Sequence, residues 1–182
     1  MLAQRQGDLG SRLSGVTEDL FSLGFSAVCL VGSDSPTLPL ENLRATAATL
    51  KEETDRIVIG PCTDGGYYLI GMSRSYAKLF EEIDWSTGSV YQQTISRAME
   101  IKLPMIELPL WYDVDDRDSL NRLLSELFPE WSMEKVSRGA PAPNTKEFLQ
   151  RLLTGESVVR VWPARAANLL ERPNPLPRPR ER

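Results

Sequence analysis

The sequence predicts an α/β fold with a mostly parallel sheet, and three observations carry that prediction. Short apolar runs of strand length alternate with segments of helical periodicity. Two of the runs, "SAVCLVG" (26–32) and "RIVIGPC" (56–62), are apolar almost throughout, as strands covered on both faces are. Each is followed by a loop built from Gly, Pro, Ser and Asp. At 182 residues the chain suffices for one domain with a substantial core.

Taken in order, "GSRLSGVTEDLFSLGF" places Leu13, Val16, Leu20 and Leu23 at helical spacing, with Gly24 as its stop. The strand "SAVCLVG" follows, then the loop "SDSPTLP" with Pro36 and Pro39 as breakers, then the helix "LENLRATAATLKE". After the strand "RIVIGPC", Asp64-Gly65-Gly66 turns the chain into a third strand, "YYLIGM". "SYAKLFEEI" reads as a short helix. "DWSTGSVYQQTISRAMEIK" reads as a longer one, with Ser86 and Thr87 as N-cap candidates. "PMIELPL" is a strand, and "YDVDDRDSLNRLLSELF" is an acidic loop entering a helix whose first turn carries Asp, as the helix dipole favours. Residues 129–143 read as a polar linker, and "NTKEFLQRLL" as a last helix capped by Asn144 or Thr145. The Pro/Arg-rich tail from Arg172 reads as disordered.

Composition removes several function classes. A formal net charge of -4 argues against nucleic acid as the main partner. The chain has no histidine, so histidine acid/base and triad chemistry is excluded. Cys29 and Cys62 form no Cys-x-x-Cys pair, and both read as free buried thiols rather than zinc ligands. No apolar run reaches membrane-spanning length and no signal-peptide core is present, so the expected location is the cytoplasm.

In a parallel sheet, ligands bind at the carboxyl ends of the strands. The loops expected there each carry aspartate: Asp34, then Asp64, then Asp113, Asp115 and Asp116. Carboxylates gathered on one rim repel unless a cation lies among them. Mg²⁺ and Mn²⁺ take oxygen ligands, commonly one or two carboxylates with substrate phosphates. The expected metal ligands are therefore Asp34 with one or both of Asp113 and Asp115. Each has a competing reading: Asp34 as a loop cap, Asp64 as a turn residue, and Asp116 and Asp118 as helix-start residues, for which capping is the preferred role. Tyr67 and Tyr68 must point to opposite faces of their strand, so one of them at most meets a ligand.

The segments "GSDSPTLP", "IGPCTDGGYYLIGM", "LFEEIDWSTGSV" and "WYDVDDRDSLNRL" together resemble the DUF2064 family. "QGDLGSRL" and "NTKEFLQRLL" extend the resemblance over roughly residues 6–153. The family consists of GT-A-fold, nucleotide-diphospho-sugar transferase-like proteins and includes glycosyltransferases of arsenosugar biosynthesis. The resemblance implies a three-layer α/β/α sandwich over 1–153, with 154–182 as an extension. It implies metal-dependent transfer of a glycosyl group from a nucleotide-diphospho-sugar to a small-molecule acceptor, with Mg²⁺ or Mn²⁺. "GSDSPTL" is similar to the metal-holding segment of sugar-phosphate nucleotidyltransferases, which carries the ligand role to Asp34. "DVDDRDSL" is similar to the segment that completes their metal site, which leaves Asp113 and Asp115 as alternatives.

"DGGYYLIG" resembles the acceptor-side loop. Asp64, Gly65, Gly66 and Tyr67 are thereby substrate-binding candidates, with Asp64 also a candidate for positioning or deprotonating the acceptor. Trp85 is open between ring stacking and core packing, and Thr87 joins it as a substrate-side candidate. The family pattern begins with a strand and a loop carrying Lys-Thr-Arg-Leu. Here the first lysine is Lys51, so the resemblance implies a domain lacking that first strand and the nucleotide half of the site. It further implies an unpaired, apolar edge at "AVCLV" through which the chain would self-associate. The alternatives are nucleotidyl transfer to a phosphorylated small molecule and a non-catalytic remnant.

Overall fold

The computed structural model describes residues 2–52, 54–131 and 139–153. The chain divides into two compact units, Met1–Pro141 and Ala142–Arg182, a boundary a dozen residues before the 153/154 division expected from the sequence. In the first unit α1 (Leu9–Ser22) leads to β1 (Val28–Val31), and α2 (Leu40–Leu50) to the hairpin of β2 (Ile57–Pro61) and β3 (Tyr67–Met72). A 3-10 turn (Ala77–Phe80) and α3 (Val90–Glu100) precede β4 (Met105–Glu107), and α4 (Arg117–Leu127) follows. The second unit contains α5 (Pro143–Leu153).

The four strands lie in the order β1-β3-β2-β4. β2 and β4 pair in parallel, while β3 runs antiparallel to both β1 and β2. Three strands thus share one direction, as the alternating pattern implies. The short Asp64–Gly66 turn returns β3 between β1 and β2, so two of the three ladders are antiparallel. A connection this short can join only antiparallel neighbours.

Ile57, Ile70 and Met72 face a cluster containing Leu79 and Phe80 of the 3-10 turn and Ala98 of α3, with Leu13 and Phe21 of α1 packed against it. The alternate face meets α2: a Cβ on Gly71 would lie 2.8 Å from Thr46 and 2.9 Å from Leu50. Helices therefore cover both faces of β2 and β3, whose residues from Ile57 to Ile59 are wholly buried.

Several local expectations are corrected. β1 is not buried on both faces: among the described residues it pairs only with β3, Cys29 is exposed and Val31 is 47% exposed. The free-edge expectation, not the two-sided burial, describes this strand. α3 starts at Val90, not near Asp84, because Ser86 has a left-handed backbone (φ 64°) that no helix start accommodates. Thr87 instead donates to the Asp84 carbonyl (2.7 Å) within the preceding turn. "SYAKLFEEI" forms only the four-residue 3-10 turn. α5 opens at Pro143, whose fixed φ suits a first helical position, so Asn144 and Thr145 fall inside the helix. Within the expected linker, Pro129–Trp131 forms a further 3-10 turn. Residues 132–138 and the tail from Arg172 lie outside the described residues.

Candidate functional site

The site follows from where the like-directed strands end. β1 ends at Val31, and Gly32 passes its N–H to the Tyr68 carbonyl (2.9 Å) before the chain leaves the sheet. A Cβ at Gly32 would lie 2.7 Å from Asp34 Oδ1, so glycine lets that carboxylate fold back over the strand end. β2 ends at Pro61, and Cys62 continues it by a parallel bridge to Trp111. Trp111 donates to the Pro61 carbonyl (3.1 Å) and Thr63 to the Trp111 carbonyl (3.0 Å). That ladder carries the chain from Trp111 directly to Asp113. The Val114 N–H then donates to the Asp34 carbonyl (2.9 Å), joining the first acidic loop to the last.

Asp34, Asp113 and Asp115 are thereby brought together, with carboxylate oxygens all within 4.8 Å of one another. A second group shares Asp113: Cys62, Asp64 and Asp113 meet the same limit. Asp34, Asp64 and Asp115 are exposed, and Asp113 is half-buried. Partial burial is the main cause raising the Asp113 pKa, with Asp64, Asp115 and Asp34 adding to it and its own backbone N–H opposing. Burial likewise pushes the Cys62 thiol up, and Asp113, Asp64 and Asp34 push it further.

Cys62, which the sequence offers only as a core thiol, thus lies against the acidic cluster, its sulfur within 4.8 Å of Asp64 and Asp113 carboxylate oxygens. The one local signal is its position, two residues before Asp64 at a strand end. Asp116 stands apart from the cluster. It caps α4 by accepting from the Ser119 N–H (2.8 Å) in a reciprocal capping box, which is the role preferred from the sequence.

These acids line an open cleft of about 600 Å³. Asp34, Asp64, Asp113 and Asp115 form its polar end, and Leu13, Leu30, Tyr67 and Trp85 contribute an apolar wall. Gly66, Ser86 and Thr87 also reach it, but no lysine or arginine is among the described lining residues. Trp85 is half-buried and packs against the core cluster as well, so both of its readings describe the same side chain. Tyr67 packs on that cluster while Tyr68, displaced by a register shift opposite Gly60 and Pro61, turns the other way. The Tyr68 hydroxyl accepts from Asn42 of α2 (2.8 Å) and donates to the Pro109 carbonyl (3.0 Å).

The glycine pair has two separate explanations. Gly65 has φ +91°, and a Cβ there would lie 2.2 Å from the Gly88 carbonyl oxygen. Its bare backbone serves loop-to-loop packing, and it is not in the cleft wall. Gly66 is in the wall; its N–H donates to Asp64 Oδ1 (2.8 Å) in a tight Asx turn. Asp64 therefore fulfils the turn role and still presents its carboxylate to the cleft.

A sheet with helices on both faces and an acidic cleft at the strand ends is consistent with a GT-A-like, nucleotide-diphospho-sugar transferase type of fold. A crystal structure from Desulfovibrio desulfuricans G20, of a protein named "putative nucleotide-diphospho-sugar transferase", superposes with a TM-score of 0.68 at 30% identity. The match covers 87% of this chain and 64% of that one. Residues 1–87 match the family model described as "Uncharacterized protein conserved in bacteria (DUF2064)", which supports the resemblance read from the motifs over that part of the chain. Among curated proteins, none matches. No described helix is long and apolar enough to cross a membrane.

Proposed function

We propose that the cleft binds a nucleotide-diphospho-sugar through a divalent cation, Mg²⁺ or Mn²⁺, and transfers the glycosyl group to a small-molecule acceptor. The observation that carries this reading is the convergence of Asp34, Asp113 and Asp115 within 4.8 Å. The donor set fits a hard cation. Oxygens around one Mg²⁺, each about 2.1 Å from it, lie at most about 4.2 Å apart, so small side-chain rotations would suffice. Bound there, the ion would offset charge developing on the departing diphosphate.

The chain's own residues have distinct parts in this reading. Asp34, Asp113 and Asp115 hold the cation and through it the diphosphate. Asp64, which groups with Asp113 and Cys62 rather than with Asp34 and Asp115, would face the acceptor and orient its hydroxyl or take its proton. Tyr67, Trp85 and Thr87 supply the wall against which a sugar or acceptor ring rests, with Gly66 beside them. A phosphorylated acceptor would meet four carboxylates and no lysine or arginine among the described lining residues, which favours glycosyl over nucleotidyl transfer. The free edge of β1 is the surface through which the domain would pair with a second copy.

Calorimetric titration tests the proposal: Mn²⁺ alone first, then UDP-, GDP-, ADP- and dTDP-sugars with Mn²⁺ present. The expected result is saturable Mn²⁺ binding that the Asp34→Asn variant loses, and heat from at least one sugar nucleotide only when Mn²⁺ is present. Absence of heat from every nucleotide would overturn the catalytic reading and leave kinship of fold.

A further inference from the structure

The two acidic loops are tied together behind the cleft as well as within it. Thr37 lies three residues after Asp34, and Tyr112 directly precedes Asp113. Their hydroxyls meet at 3.1 Å, and each residue is 2% exposed. The Tyr112 ring carries the Arg122 guanidinium 3.8 Å from its centroid. Arg122 in turn lies 3.6 Å from the carboxylate of Glu126, one turn along α4, whose side chain is 2% exposed. On the other side, the Ala140 N–H donates to the Thr37 carbonyl (2.8 Å), and a Cβ on Gly139 would lie 1.8 Å from that oxygen. None of Thr37, Tyr112, Arg122 and Glu126 lines the cleft.

We propose that Tyr112 and Thr37, backed by Arg122 and Glu126, are positioning residues that hold the Asp34 and Asp113 loops in register. This rests on the reading that the two carboxylates share one cation. Neither loop has regular secondary structure, and the carboxylates they present repel each other. Something out of contact with ligand must hold them close, or the cation would have to close the site each time it bound. A hydrogen bond between two buried hydroxyls suits this, because a buried hydroxyl is costly to leave without its partner. The Arg122 stack keeps the Tyr112 ring from swinging, and the Glu126 carboxylate keeps Arg122 over the ring. The backbone bond from Val114 to Asp34 reports the register directly.

The experiment compares wild type with Tyr112→Phe, which keeps the ring under Arg122, and with Thr37→Val and Thr37→Ser. Amide exchange of the Val114 N–H is followed by NMR, and the Mn²⁺ dissociation constant by water-proton relaxation. The expected result is a roughly three- to tenfold local loss of Val114 protection in Tyr112→Phe and Thr37→Val. Mn²⁺ affinity should fall by a similar factor, and Thr37→Ser should restore both. The double variant should be little worse than Tyr112→Phe alone, because Thr37→Val then has no bond left to remove. Unchanged Val114 protection, or a loss spread evenly over all amides, would overturn the proposal. Should Tyr112→Phe fail to fold, the Thr37 pair still decides. Should wild type bind no Mn²⁺, the functional reading fails, while Val114 exchange still decides whether this link sets the register.

Discussion

Replacing Asp113 by asparagine should make the ion-free protein more stable, and the sign of that effect should reverse when a divalent cation is added. Asp113 has carboxylate oxygens of Asp34, Asp64 and Asp115 within 4.8 Å. At that separation one pair of like charges costs about 0.9 kcal/mol in a water-like dielectric. Three such pairs come to about 2.6 kcal/mol, and screening at ordinary salt reduces this to roughly 1.5 kcal/mol. Asparagine has nearly the same shape and keeps a carbonyl oxygen for the Cys62 thiol, so little packing is lost.

In EDTA, the Asp113→Asn protein should melt about 3–6 °C above wild type. With Mn²⁺ at a hundred times its dissociation constant, wild type gains about 2.7 kcal/mol by mass action and overtakes the variant. Differential scanning calorimetry in EDTA and in Mn²⁺ measures both. A variant that melts below wild type in EDTA would show that the acids are not in unrelieved repulsion. A variant that responds to Mn²⁺ as strongly as wild type would show that Asp113 is not a ligand.

Three further outcomes follow from particular residues. Gly65→Ala meets both a left-handed backbone and the Gly88 carbonyl, whereas Gly24→Ala, at φ +90° with nothing within 4 Å, meets only the first. Urea unfolding should show a cost of about 1–2 kcal/mol at Gly24 and a clearly larger one at Gly65; equal costs would refute the loop-packing account. The Asp8 carboxylate, which caps α1, is held below its usual pKa chiefly by the hydrogen bond from Ser11. Its contribution is thus complete above the unfolded value near 3.8 and is lost as pH falls through the lower folded value, so Asp8→Asn should flatten the acid limb of a stability–pH curve. Finally, sedimentation velocity should show concentration-dependent association that Cys29→Lys weakens, since a charged edge resists strand pairing. A wild-type monomer at every concentration would remove the edge-pairing idea.

Much of the candidate site was legible because the relevant signals are local. Asp34 follows a strand and a glycine, Asp113 and Asp115 follow another strand, and strand ends in an α/β fold form one rim. The cap role of Asp116 was legible for the same reason, since a helix start needs only a few neighbouring residues. The packing role of Gly65 was not legible, because a glycine needed for close packing looks the same in sequence as one needed by a ligand. Only Gly88, 23 residues away in the chain, distinguishes them. Cys62 is the free buried thiol that the sequence implies, but burial says nothing about which polar group lies beside it.

By itself the sequence determined the strand and helix alternation, the exclusion of histidine chemistry and the candidate acids, since each depends on residue type and short spacing. Tertiary structure alone decided the sheet order, with antiparallel β3 between β1 and β2 and β1 left at the edge. It alone brought Asp64 and Cys62 against Asp113, and joined Thr37 to Tyr112 across 75 residues. Such long-range contacts form only when the whole core excludes water from both partners, and no spacing pattern along the chain records that.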